Sequence, residues 1–280
     1  MHPYHLLVID PQNDFMDVEG AALPVPGAST DMTRLARWLL GHLDEVLHIT
    51  ITLDSHPSLA VERTSFWQQA DGSAVQPFTV ISAQELAQGR YRPRHADKHP
   101  GLTADVLRYL QALEGTSQRQ LVVWPVHCVL GTWGHNIYPA LADAVAAWEA
   151  HTGRLSRKVL KGQNPLTEQY SAFKAEVPRQ DDPRTQLNLD LIRAIATPDT
   201  TLLVAGEALS HCVAASVQDL MLNMPGEHLR QTVLLTDCMS PVPGFEAMGE
   251  AFLDGARAAG LATQTLRDLG WRESGLQPLL

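Results

Sequence analysis

Thr201-Leu-Leu-Val-Ala-Gly-Glu-Ala-Leu-Ser-His-Cys-Val-Ala-Ala-Ser-Val-Gln-Asp-Leu-Met-Leu222 holds an apolar run, a glycine turn and a helical stretch in immediate succession. The run of small and branched apolar residues has strand character, Gly206 marks the turn, and helix formers take over from Cys212. The unit recurs along the chain. Strands are predicted at Tyr4–Ile9, Val46–Leu53, Gln120–Trp124, Leu155–Leu160, Thr201–Ala205 and Thr232–Thr236, with a weaker pattern at Ala262–Leu266. Helical patterns lie between them, at 31–43, 102–113, 137–150, 187–196, 212–222 and 245–259. Largely apolar strands that alternate with helices predict a central, mainly parallel sheet of about six strands in a three-layer α/β/α arrangement.

Composition sets the outer bounds. A chain of 280 residues with 45% apolar and 19% charged residues can bury a substantial core, and one domain is expected over residues 1–280. Two stretches, about 68–101 and 174–185, interrupt the alternation and read as loop-rich insertions. The net charge of −10, spread along the chain, and the lack of a clustered basic face argue against nucleic acid as a partner. Three cysteines, Cys128, Cys212 and Cys238, with no short pairing pattern suit a reducing compartment. No signal-like N-terminus or membrane-length apolar run is read, so the cytoplasm is expected and a membrane is not.

Ligands of such sheets bind beyond the carboxyl ends of the strands. Asp10, Asp54, His56, His127, Lys161 and Cys212 all fall at or just after a predicted strand end. Cys212, at a strand-to-helix turn, is expected to be a nucleophile, with helix-terminal amides and a nearby cation favouring thiolate. Asp10, which closes an apolar strand, would accept the thiol proton, and Lys161 would hold both charges in place. Each has a bland reading too: a buried cysteine, a turn-capping aspartate and a solvated surface lysine. Asp54 and His56, at alternate positions of an extended segment, together with His127, make a candidate ligand set for zinc, iron or manganese. Cys128, beside His127, would point to the opposite side and is expected to be structural, as is Cys238.

Taken in order, these segments resemble the nicotinamidase branch of the isochorismatase-like cysteine hydrolases. The resemblance is carried by Val8-Ile-Asp-Pro-Gln-Asn-Asp-Phe15, Ala22-Leu-Pro-Val-Pro-Gly-Ala28, Leu53-Asp-Ser-His-Pro57, Trp124-Pro-Val-His-Cys-Val-Leu-Gly-Thr132, Lys161-Gly, Tyr170-Ser-Ala-Phe173 and His211-Cys-Val213. It implies a catalytic triad of Asp10, Lys161 and Cys212, and an oxyanion hole from the amides of Ala208 and Cys212 beside a cis peptide before Ala208. It implies further an aromatic substrate pocket lined by Phe15, Trp124 and Tyr170. A divalent metal, zinc before iron or manganese, would sit on Asp54, His56 and His127, with Glu62 or water completing the set. The Asp-x-His-Pro and Trp-Pro-x-His-Cys pair favours the nicotinamidase side over isochorismatases proper. The chain departs from the branch at Leu209 and Ser210, where Thr-Asp is typical.

The implied activity is hydrolysis of a small heteroaromatic carboxamide such as nicotinamide, through a thioester, to the acid and ammonia. The expected partner is therefore a small-molecule amide, with homo-oligomerisation left open. Three alternatives stand beside it: another amide or carbamoyl substrate, a non-catalytic metal-binding homologue, and a metal-bound water as nucleophile with Cys212 a bystander.

Overall fold

The computed structural model describes residues 3–117, 120–197 and 199–270. In chain order the elements are β1 (Tyr4–Ile9), α1 (Ala28–Gly41), β2 (Val46–Asp54), β3 (Trp67–Gln69), β4 (Thr79–Ile81), α2 (Ala83–Ala87), β5 (Tyr91–Pro93), α3 (Leu102–Ser117), β6 (Leu121–Val123), α4 (Pro139–Thr152), β7 (Arg157–Lys161), α5 (Leu189–Ile195), β8 (Thr201–Gly206), α6 (Ala214–Asn223), α7 (Gly226–Leu229), β9 (Thr232–Leu235), α8 (Glu246–Ala258) and β10 (Ala262–Gln264). Six strands form one sheet in the order β10-β9-β8-β1-β2-β7, and every adjacent pair is parallel.

The centre of the sheet is where the chain is most apolar. All six residues of β1 are buried, because successive side chains feed two different cores. Leu6 and Val8 join Ile49, Ile51, Leu203 and Ala205 under α1 and α4, through Leu35, Leu39, Val145 and Trp148. Leu7 and Ile9 join Leu202 and Val204 on the other face, under α5, α6 and α8, through Ile192, Val217 and Phe252. Removing one such fully enclosed side chain, as in Leu7→Ala, costs roughly 2–5 kcal/mol.

One predicted strand lies elsewhere. The Gln120–Trp124 segment forms β6, which pairs antiparallel with β4 in a separate two-stranded ribbon and is not part of the parallel sheet. Its apolar run buries against a third core, made with Val61, Trp67, Ile81, Leu86, Val106 and Leu110. The 68–101 stretch, expected to be loop-rich, contains β4, α2 and β5 and packs into this core through Val75, Ile81, Leu86 and Tyr91. A capping box at Ser82 and Glu85 starts α2. Across 174–185 the regular structure is a single short turn, Pro183–Thr185.

Register brings the chemistry together. Asp54 and Lys161, the last residues of β2 and β7, are direct cross-strand partners, and Ile9 is paired with Gly206. Asp10 and the turn after β8 therefore emerge side by side at the same sheet edge. Gly206 has φ 121°, and a Cβ there would run into the backbone of Ile9. Only glycine allows β8 to leave the sheet this close to β1.

Candidate active site

Beyond β8 the chain makes a five-residue π-turn, Leu209–Val213, before α6 begins. Cys212 is the fourth residue of that turn and is 7% exposed. The thiol thus stands at the mouth of α6, one turn ahead of the regular helix. The Ala208 carbonyl accepts from the amides of His211 (3.0 Å) and Val213 (3.2 Å), which fixes the loop on either side of Cys212. The peptide between Glu207 and Ala208 is cis.

Lys161 Nζ lies 3.6 Å from Cys212 Sγ, 2.9 Å from Asp10 Oδ2 and 2.8 Å from Asp54 Oδ1, and it donates to the Gln169 carbonyl at 3.1 Å. The lysine is buried rather than solvated. Burial works against its charge, but Asp10 and Asp54 outweigh it and raise its pKa well above the ordinary lysine value. Asp10 follows β1 at φ 45°, accepts from Thr52 Oγ1 at 2.5 Å through Oδ1, and turns Oδ2 to the Lys161 ammonium. The Asp10 carboxyl is within hydrogen-bond reach of the thiol. Burial raises the Asp10 pKa, with Lys161 opposing.

The thiolate expected at Cys212 is opposed by its surroundings. Burial pushes the Cys212 thiol well above its ordinary value, and Asp10 and Asp54 add to the push while Lys161 counteracts it. Two carboxylates and a low-dielectric wall oppose one cation and favour retention of the thiol proton. Asp10, neighbouring and basic, is placed to take it.

Behind this group Asp54, His56 and His127 converge. Asp54 Oδ1 is 2.7 Å from His56 Nε2, and its Oδ2 is 3.3 Å from His127 Nε2. Gln12 anchors the set: its Oε1 accepts from the Asp54 amide at 2.6 Å, and its Nε2 donates to the Asp54 and His135 carbonyls. Glu62, the tentative fourth ligand, is turned away from Asp54 and spans His56 Nδ1 (3.0 Å) and Arg63 Nε (3.1 Å). Arg63, not foreseen as a site residue, is wholly buried beside His127. Among the described residues no group of three or more His, Cys, Asp or Glu side chains is arranged to hold a metal ion. A dication is opposed here, because the Arg63 guanidinium contacts the ring of His127 and faces Asp54.

The cleft over Cys212 is lined by Phe15, Asp54, Trp124, His127, Tyr170 and Ala208, among others. All three aromatic residues expected in the pocket are there. Trp124 Nε1 donates to Tyr170 Oη at 3.0 Å, and Phe15 meets His127 edge-on at 5.3 Å. Of the lining residues that escaped sequence reasoning, Leu23 and Val242 are apolar and two are titratable. His211 packs against Trp124, Tyr170 and Phe245 with centroids 4.7–5.3 Å apart, its Nδ1 tied to Ser210 Oγ at 2.9 Å. Glu168 is raised to about 8, chiefly by burial and then by Glu62. The nearby Tyr170-Ser-Ala-Phe173 block was the only signal for it. Of the two departures from the family pattern, Ser210 braces His211 and Val242, and Leu209 fills the core under α6. Cys128 is fully buried, and its amide donates to Asp14, apart from the nucleophile.

This arrangement of sheet, flanking helices and strand-end site is the isochorismatase-like α/β/α fold. No family model matches the chain. Within that fold the similarity runs to the nicotinamidases, as the sequence blocks imply. The nicotinamidase of Escherichia coli (strain K12) is 28% identical over 276 residues, 98% of this chain and 99% of that one. A nicotinamidase of Saccharomyces cerevisiae is 26% identical over 214 residues, 75% and 78% of the two chains. The yeast nicotinamidase Pnc1p bound to the inhibitor nicotinaldehyde has a TM-score of 0.63 at 19% identity, covering 94% of this chain and 99% of its own. The pyrazinamidase of Pyrococcus horikoshii in complex with zinc scores 0.53 at 19% identity, covering 94% and 98%.

Proposed function

We propose that the protein is a cysteine amidohydrolase that converts a small heteroaromatic carboxamide of the nicotinamide type to its acid and ammonia. The observation that carries the reading is the contact of one buried lysine with both the thiol, at 3.6 Å, and the Asp10 carboxylate, at 2.9 Å. The nicotinamidase relatives that cover almost the whole chain support the substrate class.

The ring enters the cleft among Phe15, Trp124 and Tyr170, which sets the carboxamide carbon over Cys212. Asp10 removes the thiol proton as Sγ attacks that carbon, and the amides of Ala208 and Cys212 receive the oxyanion. Collapse breaks the C–N bond. The nitrogen takes the proton back from Asp10 and leaves as ammonia, with a thioester remaining on Cys212. Asp10, again a carboxylate, deprotonates a water that attacks the thioester carbon, and the acid departs as the thiol is restored. Lys161 keeps Asp10 and Asp54 oriented throughout and counters the charge that develops on sulfur.

No step is assigned to a metal. Asp54, His56 and His127 would be its holders, and the arrangement around them does not suit one.

The test is ammonia release from nicotinamide, pyrazinamide and a set of aliphatic amides. Turnover confined to the aromatic carboxamides is expected. Turnover of aliphatic or carbamoyl compounds alone would move the assignment to another substrate class, and none at all would leave a binding protein.

A further inference from the structure

Arg63 has a position that nothing in the amidase mechanism uses. It is 0% exposed, one of the largest fully enclosed side chains in the molecule. Its backbone bridges to Trp124 in parallel, which directs the guanidinium under the Trp124–His127 segment. Nε donates to Glu62 Oε1 at 3.1 Å and Nη1 to the Pro125 carbonyl at 3.3 Å. Nη1 also lies 3.0 Å from His127 Nε2, and Nη2 lies 3.8 Å from Asp54 Oδ2 with no hydrogen bond of its own. A full positive charge therefore stands within contact of two of the three residues expected to bind a metal.

Arginine keeps its charge under any condition in which a protein stays folded, so it cannot give way to a metal by losing a proton. Nor can it withdraw into solvent from a wholly enclosed site. The surrounding atoms are those that a guanidinium selects: a carboxylate at Nε, a carbonyl at Nη1 and a second carboxylate facing Nη2. The third expected ligand, His56, has Nε2 against Asp54 and Nδ1 against Glu62. A dication at the meeting point of Asp54, His56 and His127 would lie close to the guanidinium and be repelled by it, with little solvent to screen the two charges.

We infer that Arg63 takes the place of a metal in this protein: its guanidinium is the built-in cation of the Asp54–His56–His127 cluster, and it keeps divalent ions out. Arg63 is a positioning residue under this assignment. It holds Asp54, and through Asp54 the ammonium of Lys161, together with the ring of His127 at the pocket wall. The inference goes beyond the amidase reading and does not rest on it.

The experiment is metal analysis by mass spectrometry on the purified full chain, before and after incubation with excess Zn²⁺, Mn²⁺ or Fe²⁺ and desalting, paired with thermal unfolding in chelator or Zn²⁺. The wild type is expected to hold less than about 0.1 ion per chain and to melt at the same temperature in both, since no ligand stabilises the folded state. Arg63→Ala removes the charge without adding a ligand. It is expected to take up about one ion per chain and to gain several degrees in Zn²⁺. Arg63→Lys keeps a cation and is expected to stay metal-free. A wild type that carries about one ion through desalting, and melts lower once it is stripped, overturns the inference. So does a folded Arg63→Ala chain that binds no metal. If Arg63→Ala does not fold, the wild-type measurements decide. Ammonia release is scored separately: a metal-free wild type without turnover defeats the amidase reading alone, and a stoichiometric metalloenzyme that hydrolyses nicotinamide defeats this inference alone.

Discussion

Asp10→Asn separates two roles that the geometry gives to one carboxylate. In the proposed mechanism Asp10 is the base for Cys212, and its charge also raises the pKa of that thiol. The amide is nearly isosteric and keeps an oxygen for the Thr52 hydroxyl, now 2.5 Å from Oδ1. Lys161 retains Asp54 at 2.8 Å, so it does not become an unpaired buried charge. A positioned general base contributes about 10²–10⁴-fold, so kcat/KM on nicotinamide should fall by that factor, equivalent to about 3–5 kcal/mol. Thiol ionisation should move the other way. With one of the two pKa-raising carboxylates gone, alkylation of Cys212 by iodoacetamide near neutral pH should be as fast as in the wild type or faster. Ammonia release, alkylation followed by mass spectrometry and a thermal melt measure the three quantities. If turnover stays within about threefold of wild type, Asp10 is not the base. If turnover and alkylation fall together while the melt is unchanged, its role is to ionise the thiol in the resting enzyme, contrary to the reasoning above.

Cys212→Ala should abolish ammonia release while Cys128→Ser retains most of it; a Cys212→Ala chain with near-wild-type rates would move the attack to a water. Gly206→Ala should lose at least about 2 kcal/mol in denaturant unfolding, because φ 121° and the Ile9 backbone both exclude a Cβ; an unchanged midpoint would mean that β8 can shift. Glu168 has its folded pKa raised from 4.5 to about 8, so between those values the folded chain holds a proton that the unfolded chain releases. Stability from this group is therefore lost as pH rises through that window, and Glu168→Gln should gain melting temperature on the wild type between about pH 5 and 8. Parallel melting curves would show that Glu168 is ionised in the folded state.

The central strands, and the polar residues that meet at their ends, were legible because their signals are local. Leu6 to Ile9 is apolar without a break, and the polar residues that follow the strands stand out against such runs. The location of the Gln120–Trp124 strand was not legible, since an apolar run does not say which edge it joins, and Ile81 and Leu113 claim it for a separate core. The ionisation of Cys212 could not be read either. A cation and a helix end were visible in sequence, but the burial that outweighs them comes from packing. Arg63, Glu168 and His211 look like ordinary loop residues until the chain closes around them. Their roles come from contacts with segments as distant as Pro125 and Phe245.

Of the residues that meet at Cys212, the lysine is delivered by the least protected strand. β7 pairs with β2 alone, and of its five residues only Lys161 is buried. Asp10 and Cys212, by contrast, hang from β1 and β8 at the heart of the sheet. Strand ends with few buried contacts open at a lower free energy than the molecule as a whole. On gentle warming the protein should therefore lose its reactive centre by fraying at one edge while the rest of the sheet is still assembled. Loss of turnover would then precede loss of structure, and a substrate analogue lodged over Lys161 would act as a clasp on that edge.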